Sequence, residues 1–411
     1  MIYPLPANNL YDNAPIPLQI PDNWEVHICQ YAGVDTPALT QDQIAAIIAT
    51  PEGCTPIREA ARGKKDAIII IDDVTRPTPC GPIAKAVIAE LEQAGVPRDK
   101  IRFLAAVGTH RAMSREDFSL KLGEDLVQEF RCYSHNPFHN NVVVGTSTTG
   151  VELELNTEAA TADFKIAIGN AVPHGAVGIA GGPKTILPGI ASLKSIMALH
   201  TAGRSGRWDL SVPGRDLACQ AARMLGLDIK IDAVLNGKGE ICKLYAGEVG
   251  LLAEAHEQEL KDFYRTPYVE GADLLIANNY FKPSEPYLSI SWNGLPFTVK
   301  QGGSLVVAAN SRQGAAAHYL LGSWGDNDVN GPMFGSIQVY DWLEHYYAFS
   351  VWQDKGMGAS YHLYGDRLKW VDKWEQIMAD MGTEPKKLVI YPYATVGYYD
   401  VDGNIPDPSL Q

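Results

Sequence analysis

Residues Phe164 to His200 read FKIAIGNAVPHGAVGIAGGPKTILPGIASLKSIMALH, and this stretch decides the fold class. It opens with an apolar run, Phe164 to Ile168, crosses a glycine-rich loop and ends in helical spacing from about Ser192 to His200. Strand, glycine loop and helix in succession make the unit from which parallel α/β sheets are built. Gly175, Gly178, Gly181, Gly182 and Gly189 let the backbone turn sharply and approach a ligand with no Cβ in the way. Gly181 and Gly182, beside Lys184, are therefore candidate cofactor contacts. On the exit helix Leu193, Ile196, Met197 and His200 fall at i, i+3, i+4 and i+7, so His200 is expected to point inward with three apolar neighbours.

A buried histidine is more often a core residue bonded to a carbonyl than a metal ligand. A glycine-rich turn is often only a turn. Gly178 to Thr185 also approximates a phosphate loop, G-x-x-x-x-P-K-T, with Pro183 where the nucleotide-hydrolase pattern has glycine. Proline removes one amide donor from such a cradle. Taken alone, the stretch indicates a phosphate- or cofactor-binding loop.

Working outward, Asp66–Asp72 (DAIIIID) is a continuous β-branched run that suits a parallel strand covered on both faces. DVTRPTP follows, then a helix from about Pro82 to Ala94 closed by Gly95 and Pro97. Ile101 to Val107 is a second apolar strand ending in GTHR, and Ser114 with Asp117 forms a capping box for the next helix. A strand at Asn141 to Gly145 precedes the central stretch. A helix near Gly214 to Leu225, a strand at Asp228 to Leu235 and a helix near Glu248 to Tyr264 follow it. The pattern then restarts with strands at Ala272 to Asn278 and Ser304 to Asn310, a helix near Ser336 to Tyr346 and a strand at Leu388 to Tyr391. The reading is two α/β domains with mostly parallel sheets: residues 1–268, carrying cofactor and catalysis, and residues 269–395. The tail, residues 396–411, is expected to return to the first domain.

A chain of 411 residues suits two domains. Its formal net charge of −14 argues against nucleic acid as a partner. Cys29, Cys54, Cys80, Cys132, Cys219 and Cys242 show no C-x-x-C spacing, which indicates neither a zinc ribbon nor a disulfide framework. The start, MIYPLPANNLYD, lacks the basic residues and apolar run of a signal peptide. No apolar stretch approaches the length of a bilayer span. The expectation is a cytoplasmic enzyme with a small-molecule substrate and no membrane partner; the oligomeric state is left open.

Three apolar strands each run directly into polar residues. Asp66–Asp72 delivers Asp73, Thr75 and Arg76; Ile101–Val107 delivers Thr109 and His110; Phe164–Ile168 delivers Asn170, His174 and the loop with Lys184. In parallel α/β sheets ligands bind beyond the carboxyl ends of the strands, so all three loops are expected to face one site. Two histidines with an arginine and a lysine suit acid–base chemistry on an anionic substrate or cofactor. Arg76 suits a carboxylate or phosphate, or an ion pair with Asp72 or Asp73.

With these residues in view, the chain resembles the lactate racemase family, the nickel-pincer nucleotide enzymes. DVTRP (Asp73–Pro77), GTHR (Gly108–Arg111), PHG (Pro173–Gly175), GGPKTILPG (Gly181–Gly189) and the downstream His200 occur in the family's order and approximate spacing. The resemblance implies a nickel-bearing pyridinium-3-thioamide-5-thiocarboxylic acid mononucleotide, supplied by cofactor-maturation proteins. It implies that Lys184 is the lysine that can hold this cofactor covalently, with Thr75, Gly181 and Gly182 beside it. It implies His200 as the nickel ligand, His110 and His174 as the acid–base pair, and Arg76 and Asp73 in the substrate pocket. It also implies an active site in the cleft between two domains, and inversion of a hydroxyl-bearing carbon by hydride transfer to and from the cofactor. Imidazole is a suitable nickel ligand.

The chain departs from the family where the lactate enzyme carries Gln and Lys spaced Q-x-x-K: here Ser289 and Trp292 of YLSISW stand at those places. Lys282 and Lys300 are nearby cations. Tyr280, Phe281, Tyr287 and Phe297 crowd the segment, as a substrate-stacking wall or as core. The expectation is a 2-hydroxy acid, sugar acid or sugar bulkier than lactate. His135 and His139 in SHNPFHN read as surface-loop residues, with pocket lining as the alternative. The competing readings are a nucleotide-dependent phosphotransferase using residues 178–185 and a non-catalytic cofactor-binding protein.

Overall fold

The computed structural model describes residues 1–7, 10, 14–202, 207–250, 252–284, 294–311, 340–351 and 368–399. The chain divides into two compact units, Asp35–Lys261 and Met1–Val34 with Asp262–Gln411.

The first unit is built on strands β1 (Ala67–Asp72), β2 (Ile101–Ala106), β3 (Arg131–Ser134), β4 (Phe164–Asn170), β5 (Ile229–Leu235) and β6 (Ile241–Gly247). They lie in the order β6-β5-β4-β1-β2-β3, parallel except for the antiparallel β5–β6 hairpin. Every residue of β1, β4 and β5 is buried, as expected of strands covered on both faces. From β1 the chain steps through β2 to β3 on one side and returns through β4 to β5 on the other. The connections diverge between β1 and β4, the switch point at which such sheets open a crevice.

Four helices of this unit carry candidate residues or their partners: α1 (Cys80–Ala94), α2 (Arg115–Leu122), α3 (Leu193–Thr201) and α4 (Pro213–Leu225). Helix α1 stops at Gly95, whose φ of 90° lets Val96 N–H reach back to the Leu91 carbonyl. The Ser114–Asp117 capping box is present at the start of α2. On α3 the buried stripe is Ser195, Ile196 and Leu199. Met197, expected inside, is 40% exposed, and His200 is half-buried at the stripe's edge. Ser195 displaces the apolar register because its hydroxyl accepts the Glu154 N–H.

In the second unit β7 (Ala272–Asn278), β8 (Val299–Ala308), β9 (His345–Phe349), β10 (Leu368–Val371) and β11 (Lys387–Tyr391) form a parallel sheet in the order β10-β9-β8-β7-β11. The Glu25–Ile28 strand pairs with β11 at its edge. That pairing corrects the expected division of the chain: residues 1–34 belong with the C-terminal sheet, because the edge of β11 offers the Glu25–Ile28 backbone its hydrogen bonds. Tyr398–Tyr399 pairs with Arg265–Thr266 inside this same unit, and residues 400–411 of the tail lie outside the described residues.

Three other expectations change. The helix near Ser336 to Tyr346 gives way at its C-terminal end to β9, whose HYYAF run is buried beside β8. The helix near Glu248 to Tyr264 is two short ones, Leu252–Ala255 and Glu257–Phe263. Strand β6 went unforeseen, although Asn236–Gly237 is a hairpin signal. Tyr280 and Phe281 pack edge-on at 5.0 Å with Tyr393 against both, and Phe297 stacks on Trp342 beside Tyr340. These aromatics are core. Lys300 sits at the start of β8, ion-paired with Asp273 at the amino-terminal end of the sheet. It is therefore at the wrong end of its strand to replace a substrate-binding cation.

Candidate active site

The carboxyl end of β1 carries two consecutive aspartates with separate duties, since neighbouring side chains on a strand point to opposite faces. Asp72 accepts from Lys121 Nζ at 2.6 Å and Thr78 Oγ1 at 2.5 Å. Asp73 accepts from Thr75 through Oδ1 and faces His110 Nδ1 at 2.6 Å through Oδ2. The hydroxyl of Thr75 in turn accepts from Arg76 Nη1 at 2.9 Å. Asp73, Thr75 and Arg76 are buried, and the His110 side chain retains 11% exposure. Burial alone would raise the Asp73 pKa, but the charge and hydrogen bond of His110, the charge of Arg76 and the Thr75 hydroxyl together hold it down at about 2. Asp73 is thus a carboxylate at neutral pH, and its only role toward His110 Nδ1 is as acceptor.

That fixes the donor: His110 carries a proton on Nδ1. His174 is fixed the other way: its Nδ1 accepts the Ala176 N–H at 3.2 Å, leaving the proton on Nε2. His200 Nδ1 donates to the Ile196 carbonyl at 2.7 Å. The Nδ1 atoms of His110 and His200 thus donate, and that of His174 accepts.

The glycine loop leaves β4 as a short antiparallel hairpin, Pro173–His174 against Gly178–Ile179, followed by a single turn at Gly182–Thr185. Arg215 of α4, 2% exposed, holds the hairpin: it donates to the carbonyls of Val177 and Ile179 while paired with Glu254. Asp232 of β5 holds the turn by accepting Gly182 N–H at 2.7 Å, its charge matched by Lys230 at 2.7 Å. Gly181, at φ 86°, packs so closely on the strand ends that a Cβ would lie 2.5 Å from Asp232 Oδ1 and 2.7 Å from the Asn170 carbonyl. The loop's far end meets the GTHR loop, where Gly108 N–H donates to Gly189 O at 2.9 Å.

Of the residues singled out in the sequence, Asp73, Thr75, Arg76 and His110 form one hydrogen-bonded cluster at adjacent strand ends. Gly181, Gly182 and the half-buried Lys184 lie on the loop joined to it through Gly108 and Gly189. His174 is on the hairpin that opens that loop, and His200 is on the last turn of α3. Ser289 and Trp292 lie outside the described residues, as does Tyr287. His135 is not a surface residue: 3% exposed, it bridges the Ala191 carbonyl and Asn156 Nδ2, and burial lowers its pKa to about 4. Sequence reasoning missed Lys121, Asp232 and Arg215. Charges at alternate positions of the buried IKIDAVL strand were the available signal for Lys230 and Asp232.

The amides of Ile179, Ala180, Gly182 and Lys184 are donated to Val177 O, Val172 O, Asp232 and Gly181 O. A loop whose N–H groups are occupied in this way, one of them by a carboxylate, is not a phosphate cradle of the nucleotide-hydrolase kind. Among the described residues no three His, Cys, Asp or Glu side chains group as metal ligands, and no helix is long and apolar enough to cross a membrane.

Residues 11–208 match the family model of the lactate racemase N-terminal domain. The chain is 30% identical over 318 residues to a lactate racemase of Lactiplantibacillus plantarum, covering 74% of each. It is 29% identical over 288 residues to a lactate racemase of Thermoanaerobacterium thermosaccharolyticum, covering 67% of this chain and 66% of the relative. The structure of the lactate racemase apoprotein from the latter organism matches at a TM-score of 0.71 and 21% identity, over 98% of this chain and 100% of that one. A Thermotoga maritima protein matches at 0.65 and 18% identity, over 88% and 98%. The two structural matches establish the fold.

Proposed function

This chain belongs to the lactate racemase family, and on that premise we propose that it inverts a hydroxyl-bearing carbon with His110 and His174 as the acid–base pair. The observation that carries the reading is the Asp73–His110 couple beside the buried Arg76 at the end of β1, with His174 on the hairpin that leaves β4. One imidazole, neutral, takes the hydroxyl proton and becomes imidazolium; the other, as imidazolium, returns one. Reversing the reaction exchanges the roles. Asp73 stabilises the imidazolium that His110 becomes after taking the proton. Arg76, buried beside this pair, is the group to orient a substrate carboxylate.

The residues fit the family's nickel-pincer nucleotide. Asn170, at the end of β4 and 3% exposed, has a buried Nδ2 with no hydrogen-bond partner, a donor suited to an acceptor atom lodged at the β1/β4 crevice. His200 offers an Nε2 lone pair for nickel, and Lys184 is the candidate for covalent attachment. When bound, the group supplies the carbon that accepts and returns hydride. The chain's own residues position the substrate and move the hydroxyl proton. Ser289 and Trp292, in place of the family's Gln and Lys, support a 2-hydroxy acid or sugar acid bulkier than lactate.

The test is the protein co-expressed with the cofactor-maturation proteins, assayed by chiral chromatography against hydroxy acids and aldoses. Interconversion of two stereoisomers that disappears in His110→Ala/His174→Ala supports the reading. A protein carrying nickel and cofactor that inverts nothing in the panel would make it a cofactor carrier.

A further inference from the structure

Asp72 and Asp73 stand side by side at the end of β1, and the segment that follows carries Thr75 and Arg76. A buried charge left uncompensated on Asp72 would disturb that segment and the Asp73–His110 couple with it. Lys121 meets this charge. It reaches in from α2 with its side chain wholly buried, donating to Asp72 Oδ1 at 2.6 Å and to the Arg76 carbonyl at 2.9 Å. Thr78 Oγ1 occupies the other oxygen of Asp72, and Cys80 Sγ stands 3.6 Å from the first. Asp72 is therefore surrounded by donors from the far end of the DVTRPTPC segment and from a separate helix.

We propose that Lys121 is the positioning residue that neutralises Asp72 and anchors the Arg76 backbone, so that the arginine and the Asp73–His110 pair face the substrate together. The proposal rests on the racemase reading for its consequence in catalysis, and on this chain alone for its geometry. An unpaired buried carboxylate attracts the nearest cation strongly in a low-dielectric interior. Without Lys121 the uncompensated charge of Asp72 and the released Arg76 carbonyl shift the segment, pulling Thr75 and Asp73 out of register with His110.

The experiment uses ¹⁵N-histidine NMR of the whole chain, with the His110 signals assigned by their loss in His110→Gln. In Lys121→Met the low-field Nδ1 proton of the carboxylate-bonded imidazole moves or vanishes. In Asp72→Asn/Lys121→Met, where the uncompensated carboxylate is gone, it returns. Lys230→Met removes another buried, aspartate-paired lysine and leaves the signal in place, which separates positioning from general loss of stability. Circular dichroism checks folding; if Lys121→Met does not fold, Lys121→Gln keeps one donor without the charge and gives the same displacement. An unchanged His110 signal in a folded Lys121 variant, or a double variant no closer to wild type than the single, overturns the proposal. Because the measurement needs no substrate, it holds even if the chain proves to invert nothing.

Discussion

Asp73 Oδ2 lies 2.6 Å from His110 Nδ1, and this pair fixes the orientation of the imidazole. The carboxylate acts as acceptor and holds the ring; in the proposed reaction it would steady the positive charge that the ring gains on taking a proton.

Asp73→Asn should retain the contact but remove the charge, and its amide can donate to Nδ1 and stabilise the wrong tautomer. The expected result is a fall in kcat on the order of 10²–10⁴-fold, the range of a lost general base. Initial inversion rates, compared at matched cofactor content, measure it.

His135 supplies a stability signature independent of catalysis. Its folded pKa of about 4 lies below the unfolded value near ~6.5. The unfolded chain therefore binds the proton first as pH falls. Its contribution is full above about pH 6.5, is lost between there and about pH 4, and totals on the order of 3 kcal/mol. Urea midpoints across that window should fall less steeply in His135→Gln than in the wild type.

Gly181→Ala places a Cβ against Asp232 and the Asn170 carbonyl, at a φ that side chains rarely adopt. Destabilisation of about 2–4 kcal/mol is expected, read as a lower urea midpoint. Gly226→Ala, also at positive φ but with nothing within 4 Å, should lose less.

His200→Ala trims a half-buried side chain at the end of α3, with its hydrogen bond to the Ile196 carbonyl, and should leave the chain folded by circular dichroism. Nickel retained by the co-expressed protein, counted by elemental analysis, should fall to near background. Retention of nickel at the wild-type level would remove His200 from the metal's ligands.

Much of the sheet was legible because local chemistry and tertiary environment agree. The run at Ala67–Asp72 is apolar because both its faces are covered, so composition reports burial directly. Glycine at 181 was equally legible as a position where a Cβ is excluded. The reason differs from the one first inferred: the backbone presses on Asp232 rather than leaving open space. Where environment and composition part, the reading failed. HYYAF carries aromatics that suit helix or strand, and only the open edge of β8 makes it β9. His135 sits among polar loop residues, yet it is sealed by Asn156 and Ala191.

Residue order alone determined which side chains reach the carboxyl ends of β1, β2 and β4, because an apolar run in a parallel sheet delivers whatever follows it to that edge. It also indicated the family, through four short motifs and a downstream histidine in the right succession. Tertiary structure decided what those side chains are. Asp72 and Asp73 are identical neighbours in the chain, and they differ only because one meets a lysine from α2 and the other a histidine from the loop after β2. Whether Nδ1 of His110, His174 and His200 donates or accepts was likewise set by an aspartate, an amide and a carbonyl. Hydrogen-bond direction depends on which group lies across the gap, and for His110 that group comes from a distant part of the chain.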